Sequence, residues 1–120
     1  MGPLEYDEDD DYPDFATAVG KAVALSLSKG NNTKGILICG SGIGVCIVAN
    51  KIKGVCAGTM SSPEQTRASV NDEDTNVLCL SADFTSEEKN LEIVKTFMET
   101  KFSGLERHVR RVDKIRGLEK

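Results

Sequence analysis

Apolar positions recur along this chain in two rhythms. From Phe15 to about Leu27 they fall at Phe15, Ala18, Val19, Ala22, Val23 and Leu27, the i, i+3, i+4 spacing that lines one face of a helix. Pro13 ahead of it suits a helix start and disfavours helix in the residue before it, and Lys29-Gly30-Asn31-Asn32 behind it carries stop signals. Gly35 to Cys39 is then a short, continuously apolar run, as a strand covered on both faces requires. A glycine-rich turn follows, and Val45 to Lys51 predicts a helix. Val55 to Met60 predicts a second strand, and Ser61-Ser62-Pro63-Glu64 a helix start, with Ser61 and Glu64 spaced as a capping box. Asn76 to Leu80 predicts a third strand. Thr85-Ser86-Glu87-Glu88 caps a helix with the stripe Leu91, Val94, Phe97 and Met98, and residues 105–120 set Leu105, Val109, Val112 and Ile115 against cations on the other side.

Alternating helix and strand implies an α/β fold, a parallel sheet with helices on both faces. Three strands make a thin sheet, and the chain opens on a helix that would cross over from a strand not visible here. Something is therefore expected to be missing at the start. One domain covers residues 1–120, with an acidic entry segment at 1–12 (Glu5, Asp7, Glu8, Asp9, Asp10, Asp11) and a basic C-terminal helix at 105–120.

Charge and composition narrow the partners. Fifteen Lys and Arg against 19 Asp and Glu leave a net charge of −4, and there is no Trp, which argues against nucleic acid. No apolar run has the length of a membrane span, and the N-terminus lacks the positive start and apolar stretch of a signal peptide. The expected address is the cytoplasm.

Four cysteines, at 39, 46, 56 and 79, include no C-x-x-C, and there is one histidine, so neither a zinc site nor a thioredoxin-like pair is supported. Cys46, Cys56 and Cys79 fit small buried hydrophobes. Cys39 differs, because it ends the first strand where α/β proteins bind ligands. Glycines 40, 42 and 44 let the backbone approach a ligand and aim N–H groups at it, and Ser41 can donate a further hydrogen bond. The same positive field lowers a thiol pKa, so Cys39 is placed to act as base or nucleophile. The spacing is G-x-G-x-G, with no acidic residue ending the second strand, which fits a dinucleotide site poorly; no Walker lysine follows either. Arg107 and Arg111, four apart, face one way on a helix and could hold a phosphate, although a solvated basic face is the commoner use of such a pair. His108 beside them is expected at the surface.

Taken together, "DYPDFA" at 11–16, "GILICGSGIG" at 35–44, "ANKIKG" at 49–54, "NVLCL" at 76–80 and "ERHVRRVDKI" at 106–115 resemble the family of B-type ribose-5-phosphate isomerases and galactose-6-phosphate isomerases. The resemblance implies a Rossmann-like domain, a homodimer or a tetramer of dimers with the active site shared between subunits, and aldose–ketose isomerisation of a sugar phosphate through a cis-enediolate without metal or cofactor. It implies Cys39 as the base that moves a proton between C1 and C2; relatives with a glutamate base carry it where this chain has Val45. Ser41 with Gly40, Gly42 and Gly44 matches the anion hole, Arg107 and Arg111 the phosphate site, and Tyr12 a tyrosine near the sugar. The family's "HND", whose histidine assists ring opening, aligns with Asp72-Glu73-Asp74, or with Val70-Asn71-Asp72 if the alignment slides; Asp72 and Glu73 are carried as substrate-binding candidates.

The family also begins with a strand ending in Asp-His, a helix and a second strand, and this sequence starts after them. An unpaired sheet edge and uncovered apolar faces are expected, with lower solubility or higher association than a longer version. The leading expectation is a ribose-5-phosphate isomerase. A non-catalytic sugar-phosphate-binding or dimerisation domain is the alternative, since Asp72 and Glu73 would repel a phosphate. A redox-sensing thiol at Cys39 is the third reading, with no resolving partner evident in the sequence.

Overall fold

A computed structural model describes residues 11–119, so of the acidic entry segment all but residues 11 and 12 lie outside the described residues. Three parallel strands form one sheet: β1 (Gly35–Cys39), β2 (Ala57–Thr59) and β3 (Val77–Ser81), in the order β1-β3-β2. β3 is central and buried along its whole length. It pairs with β1 from Gly35 opposite Val77 to Cys39 opposite Ser81, and with β2 from Ala57 opposite Val77 to Thr59 opposite Cys79.

Five helices complete the chain: α1 (Tyr12–Ser28), α2 (Ile43–Ala49), α3 (Pro63–Glu73), α4 (Glu87–Glu99) and α5 (Glu106–Arg116). Alternation of side chains along the strands builds two cores. Leu37, Val77 and Cys79 meet Ala16, Val19 and Val23 of α1 and Val45 and Ala49 of α2. On the opposite face Leu78 and Leu80 meet Val70 of α3 and Ile93 and Phe97 of α4. The fold is therefore the expected three-layered, Rossmann-like α/β arrangement. Among the described residues nothing pairs with the outer edge of β1, and Ile38 there is 51% exposed.

Several boundaries and faces depart from the sequence reading. α1 starts at Tyr12, because Pro13 sits in its first turn; it ends as expected, with Gly30 at φ +79 and the Asn31 N–H returning to the Ser26 carbonyl at 3.0 Å. α2 begins at Ile43 and not Val45, so Gly44 lies inside the helix. β2 is shorter than Val55–Met60, because Asn76 takes over its start: its Oδ1 accepts from the Cys56 N–H at 2.8 Å and its Nδ2 donates to the Gly54 carbonyl at 3.0 Å. The cap of α3 is Ser62 and not Ser61: the Ser62 hydroxyl accepts from the Gln65 N–H at 3.1 Å, and Gln65 Oε1 accepts from the Ser61 N–H at 2.8 Å. α4 is capped by Ser86 as read, yet it buries Asn90, Ile93 and Phe97 while Leu91 and Met98 are exposed. A hydrogen bond from Asn90 Nδ2 to the Ser81 carbonyl, 2.9 Å, fixes that rotation.

Candidate active site

The carboxyl ends of β1, β2 and β3 converge on the glycine turn, residues 40–44. Cys39, half-buried at the end of β1, accepts a backbone hydrogen bond on its carbonyl from the Ala82 N–H at 2.9 Å. Neighbouring strands tie down the carbonyls of the turn. That of Gly40 accepts from the Ser81 hydroxyl at 2.7 Å and the Asp83 N–H at 2.9 Å, and that of Gly42 from the Thr59 hydroxyl at 2.6 Å. The N–H groups of Gly40 and Ser41, both at exposed residues, donate to none of the described residues. That of Gly44 belongs to the first turn of α2, where helix N–H groups have no partner along the helix. The turn thus presents donors outward beside a thiol. Ser41 is exposed, its hydroxyl accepting from the Ile43 N–H at 3.1 Å.

The three glycines do different work. Gly42 is buried, has φ +77, and a Cβ there would lie 2.9 Å from the Leu80 carbonyl carbon and 2.8 Å from Thr59 Cγ2. It shapes the turn and does not open onto it. Gly44 is required by a neighbour, since a Cβ would stand 2.7 Å from Tyr12 Cζ and 2.9 Å from its hydroxyl. The aromatic ring of Tyr12, at the start of α1, therefore lies directly on the turn. Gly40 leaves room for the Asp83 carboxylate, which a Cβ would approach to 2.8 Å.

The remaining candidates lie elsewhere. Asp72 and Glu73 occupy the last turn of α3, which leads into the start of β3. Arg107 and Arg111 are exposed on α5, which packs against α3. Their neighbour His108 is buried and not at the surface as expected: its Nδ1 hydrogen-bonds Ser103 Oγ at 2.5 Å, and its Nε2 lies 3.6 Å from Asp72 Oδ1. Asp72 also accepts from Asn71 Nδ2 at 2.8 Å. The five-residue β3 separates the two groups by about 15 Å, so one chain does not bring Asp72, Glu73, Arg107 and Arg111 to Cys39.

Sequence reading missed Thr59, Ser81 and Asp83. Each sits at or just past the carboxyl end of a strand, the position that α/β folds use for ligands, and that rule applied to every strand would have named them. Near the other pole, Lys34 donates to the carbonyls of Phe97 at 2.5 Å and Thr100 at 2.9 Å, and burial lowers its pKa. Burial likewise raises the pKa of Asp74, against the opposing pull of Arg116 3.7 Å away.

The family model described as Ribose/Galactose Isomerase matches residues 1–115. The chain belongs to that family. It is an isomerase by this membership, and its relatives are named as such. A probable ribose-5-phosphate isomerase B of Mycoplasma genitalium is 45% identical over 120 residues, all of this chain and 76% of that protein. Ribose-5-phosphate isomerase B of Escherichia coli K12 is 37% identical over 109 residues, 91% of this chain and 70% of that protein. The crystal structure of the Mycoplasma genitalium enzyme with bound ribulose-5-phosphate superposes with a TM-score of 0.88 at 43% identity, over 98% of this chain and 74% of that one. The Trypanosoma brucei type B enzyme superposes with a TM-score of 0.89 at 37% identity, over 99% and 76%. Among the described residues no helix is long and apolar enough to cross a membrane.

Proposed function

We propose that this isomerase is a cytoplasmic enzyme that interconverts ribose 5-phosphate and ribulose 5-phosphate through a cis-enediolate, with Cys39 as the base. The observation that carries the reading is the Cys39 thiol beside a turn whose carbonyls are tied inward and whose Gly40 and Ser41 N–H groups face out. The ribulose-5-phosphate bound to the Mycoplasma genitalium relative supports the choice of sugar. Cys39 takes the proton from C2 of the open-chain aldose and returns it to C1, and the negative charge that forms on the sugar oxygens meets the N–H groups of Gly40, Ser41 and Gly44. Ser41 donates to the same oxygens, Gly42 holds the turn, and Tyr12 borders the sugar.

The phosphate then needs the opposite pole. A homodimer in which the α5 of one copy reaches the glycine turn of the other supplies Arg107 and Arg111 to a site that neither copy completes alone. Asp72 and Glu73 ride on the same pole. With Asp72 held by Asn71 and paired to His108, ring opening falls to the solution equilibrium or to another acid, and a chain that binds sugar phosphate without turnover is the alternative.

Two measurements test this. Cys39→Ala is expected to lower turnover of ribose 5-phosphate by at least about 10³-fold, the upper part of the range for a positioned base, with sugar-phosphate binding retained. Refolding Cys39→Ala together with an Arg107→Ala/Arg111→Ala variant is expected to restore about a quarter of wild-type activity, since half the dimers are mixed and each has one intact site. Binding without turnover in the wild type would replace the enzyme reading with the alternative.

A further inference from the structure

Turning an aldose into a ketose moves two protons. One leaves C2 and returns at C1, and Cys39 is the base for it. The other has to leave the C2 hydroxyl and reach the C1 oxygen, because the carbonyl passes from C1 to C2. That second proton needs a carrier of its own beside the same turn.

The glycine turn narrows the choice. The hydroxyls of Thr59 and Ser81 are spent on its carbonyls, donating to Gly42 at 2.6 Å and to Gly40 at 2.7 Å. Asp72 and Glu73 lie at the other end of β3. Asp83 follows β3 in the loop that leads to α4, and its own backbone is fastened to the turn, since its N–H donates to the Gly40 carbonyl at 2.9 Å. The next N–H, that of Phe84, donates to Ser81 Oγ at 2.9 Å, the same hydroxyl that holds Gly40. Two clamps therefore keep this loop on the turn. The side chain completes the approach: Oδ2 lies 2.8 Å from where a Cβ on Gly40 would stand, so the carboxylate fills the space that this glycine leaves. Gly40 directly follows Cys39, so carboxylate and thiol belong to the same corner of the turn. Asp83 is exposed, and no cation among the described residues pairs with it. Its oxygens are acceptors turned to solvent beside the outward N–H groups of Gly40 and Ser41.

We propose that Asp83 carries the proton from O2 to O1 of the sugar while Cys39 carries the one between the carbons. Cys39 takes the proton from C2, the C1 carbonyl opens, and the negative charge settles on O1. The Asp83 carboxylate takes the proton from O2 and, as the carboxylic acid, gives it to O1, so the charge passes to O2. The C2 carbonyl then closes and C1 takes back the proton held by Cys39. Thiolate and carboxylate are both restored, and no proton or electron is gained or lost. At each stage the charge on the sugar oxygens faces the N–H groups of the turn, which the passage of the proton leaves in place. This assignment deepens the isomerase reading and rests on it.

The test separates the two protons. Ribose 5-phosphate carrying deuterium at C2 is incubated in ordinary water, and proton NMR follows two signals, ketose formation and the entry of hydrogen at C2 of the remaining aldose. Asp83→Asn keeps the shape of the side chain and removes the carrier. It is expected to lower ketose formation about 10²-fold with KM nearly unchanged, as loss of a positioned proton carrier does. Hydrogen entry at C2 is expected to fall far less, so that exchange outruns conversion in this variant and not in the wild type. Cys39→Ala is expected to abolish both. In Asp83→Ala, added formate is expected to restore part of the turnover, and chloride at the same ionic strength none. A merely structural role would lower exchange and conversion together and give no rescue, and either result would overturn the proposal. So would turnover by Asp83→Asn within about threefold of the wild type, well short of what a proton carrier contributes. Wild type that neither exchanges nor converts removes the isomerase reading and this assignment with it, whereas an active wild type matched by Asp83→Asn removes the assignment alone.

Discussion

Tyr12 lies so close to Gly44 that any side chain there has to displace the ring or the first turn of α2. Gly44→Ala is therefore expected to swing the half-exposed Tyr12 ring off the turn with little loss of stability, since alanine is the better helix former, and to raise KM for ribose 5-phosphate more than it lowers kcat. Gly42→Ala combines the left-handed backbone with collision against Leu80, and about 3 kcal/mol is expected in denaturant melts. At this scale the sequence was readable in part. The motif G-x-G-x-G marks the turn, but only the folded structure separates a glycine needed for φ (Gly42) from one that makes room for a neighbour 32 positions away, Tyr12. His108 was misjudged for a related reason: its partners, Ser103 and Asp72, lie in a loop and on another helix, and a single helical wheel carries no trace of either.

Among the elements, type was legible and rotation was not. Every strand and helix predicted from periodicity exists, because short apolar runs and i, i+3, i+4 spacing are local. α4 shows the limit. Of its predicted stripe Phe97 is buried and Val94 packs on the core, but Leu91 and Met98 are outside, and the face chosen contains Asn90, because a buried amide that satisfies the Ser81 carbonyl outweighs the alignment of two more hydrophobes. Asn90→Leu is expected to destabilise by about 1–3 kcal/mol despite its greater hydrophobicity, measured by urea unfolding. The start of α3 offers a matched pair: Ser62→Ala is expected to cost about 1 kcal/mol, since it removes the acceptor for the Gln65 N–H, and Ser61→Ala distinctly less. Serine followed by serine made the register of that cap ambiguous in sequence, and Pro63 in the first turn decides it.

On the scale of the whole molecule, the candidate residues divide between two poles of one thin sheet, which is why their order along the chain could group them but not bring them together. Arg107 and Arg111 read as a phosphate site only through a second copy, and the open edge of β1 with its exposed Ile38 makes association concentration-dependent by expectation: sedimentation should give a dimer or larger at micromolar protein, and a cooperatively melting monomer would remove the shared-site reading. The strand order has a further consequence, in time. Among the described residues β1 and β2 do not pair with each other; each pairs with β3. During synthesis, Ile36-Leu37-Ile38 is made some 40 residues ahead of the strand it needs, about 2–8 s at ordinary elongation rates. For that interval the segment lacks the β3 partner it has in the fold, so nascent chains arrested before residue 77 should bind holdase chaperones, and those arrested after β3 has cleared the exit tunnel should be released from them.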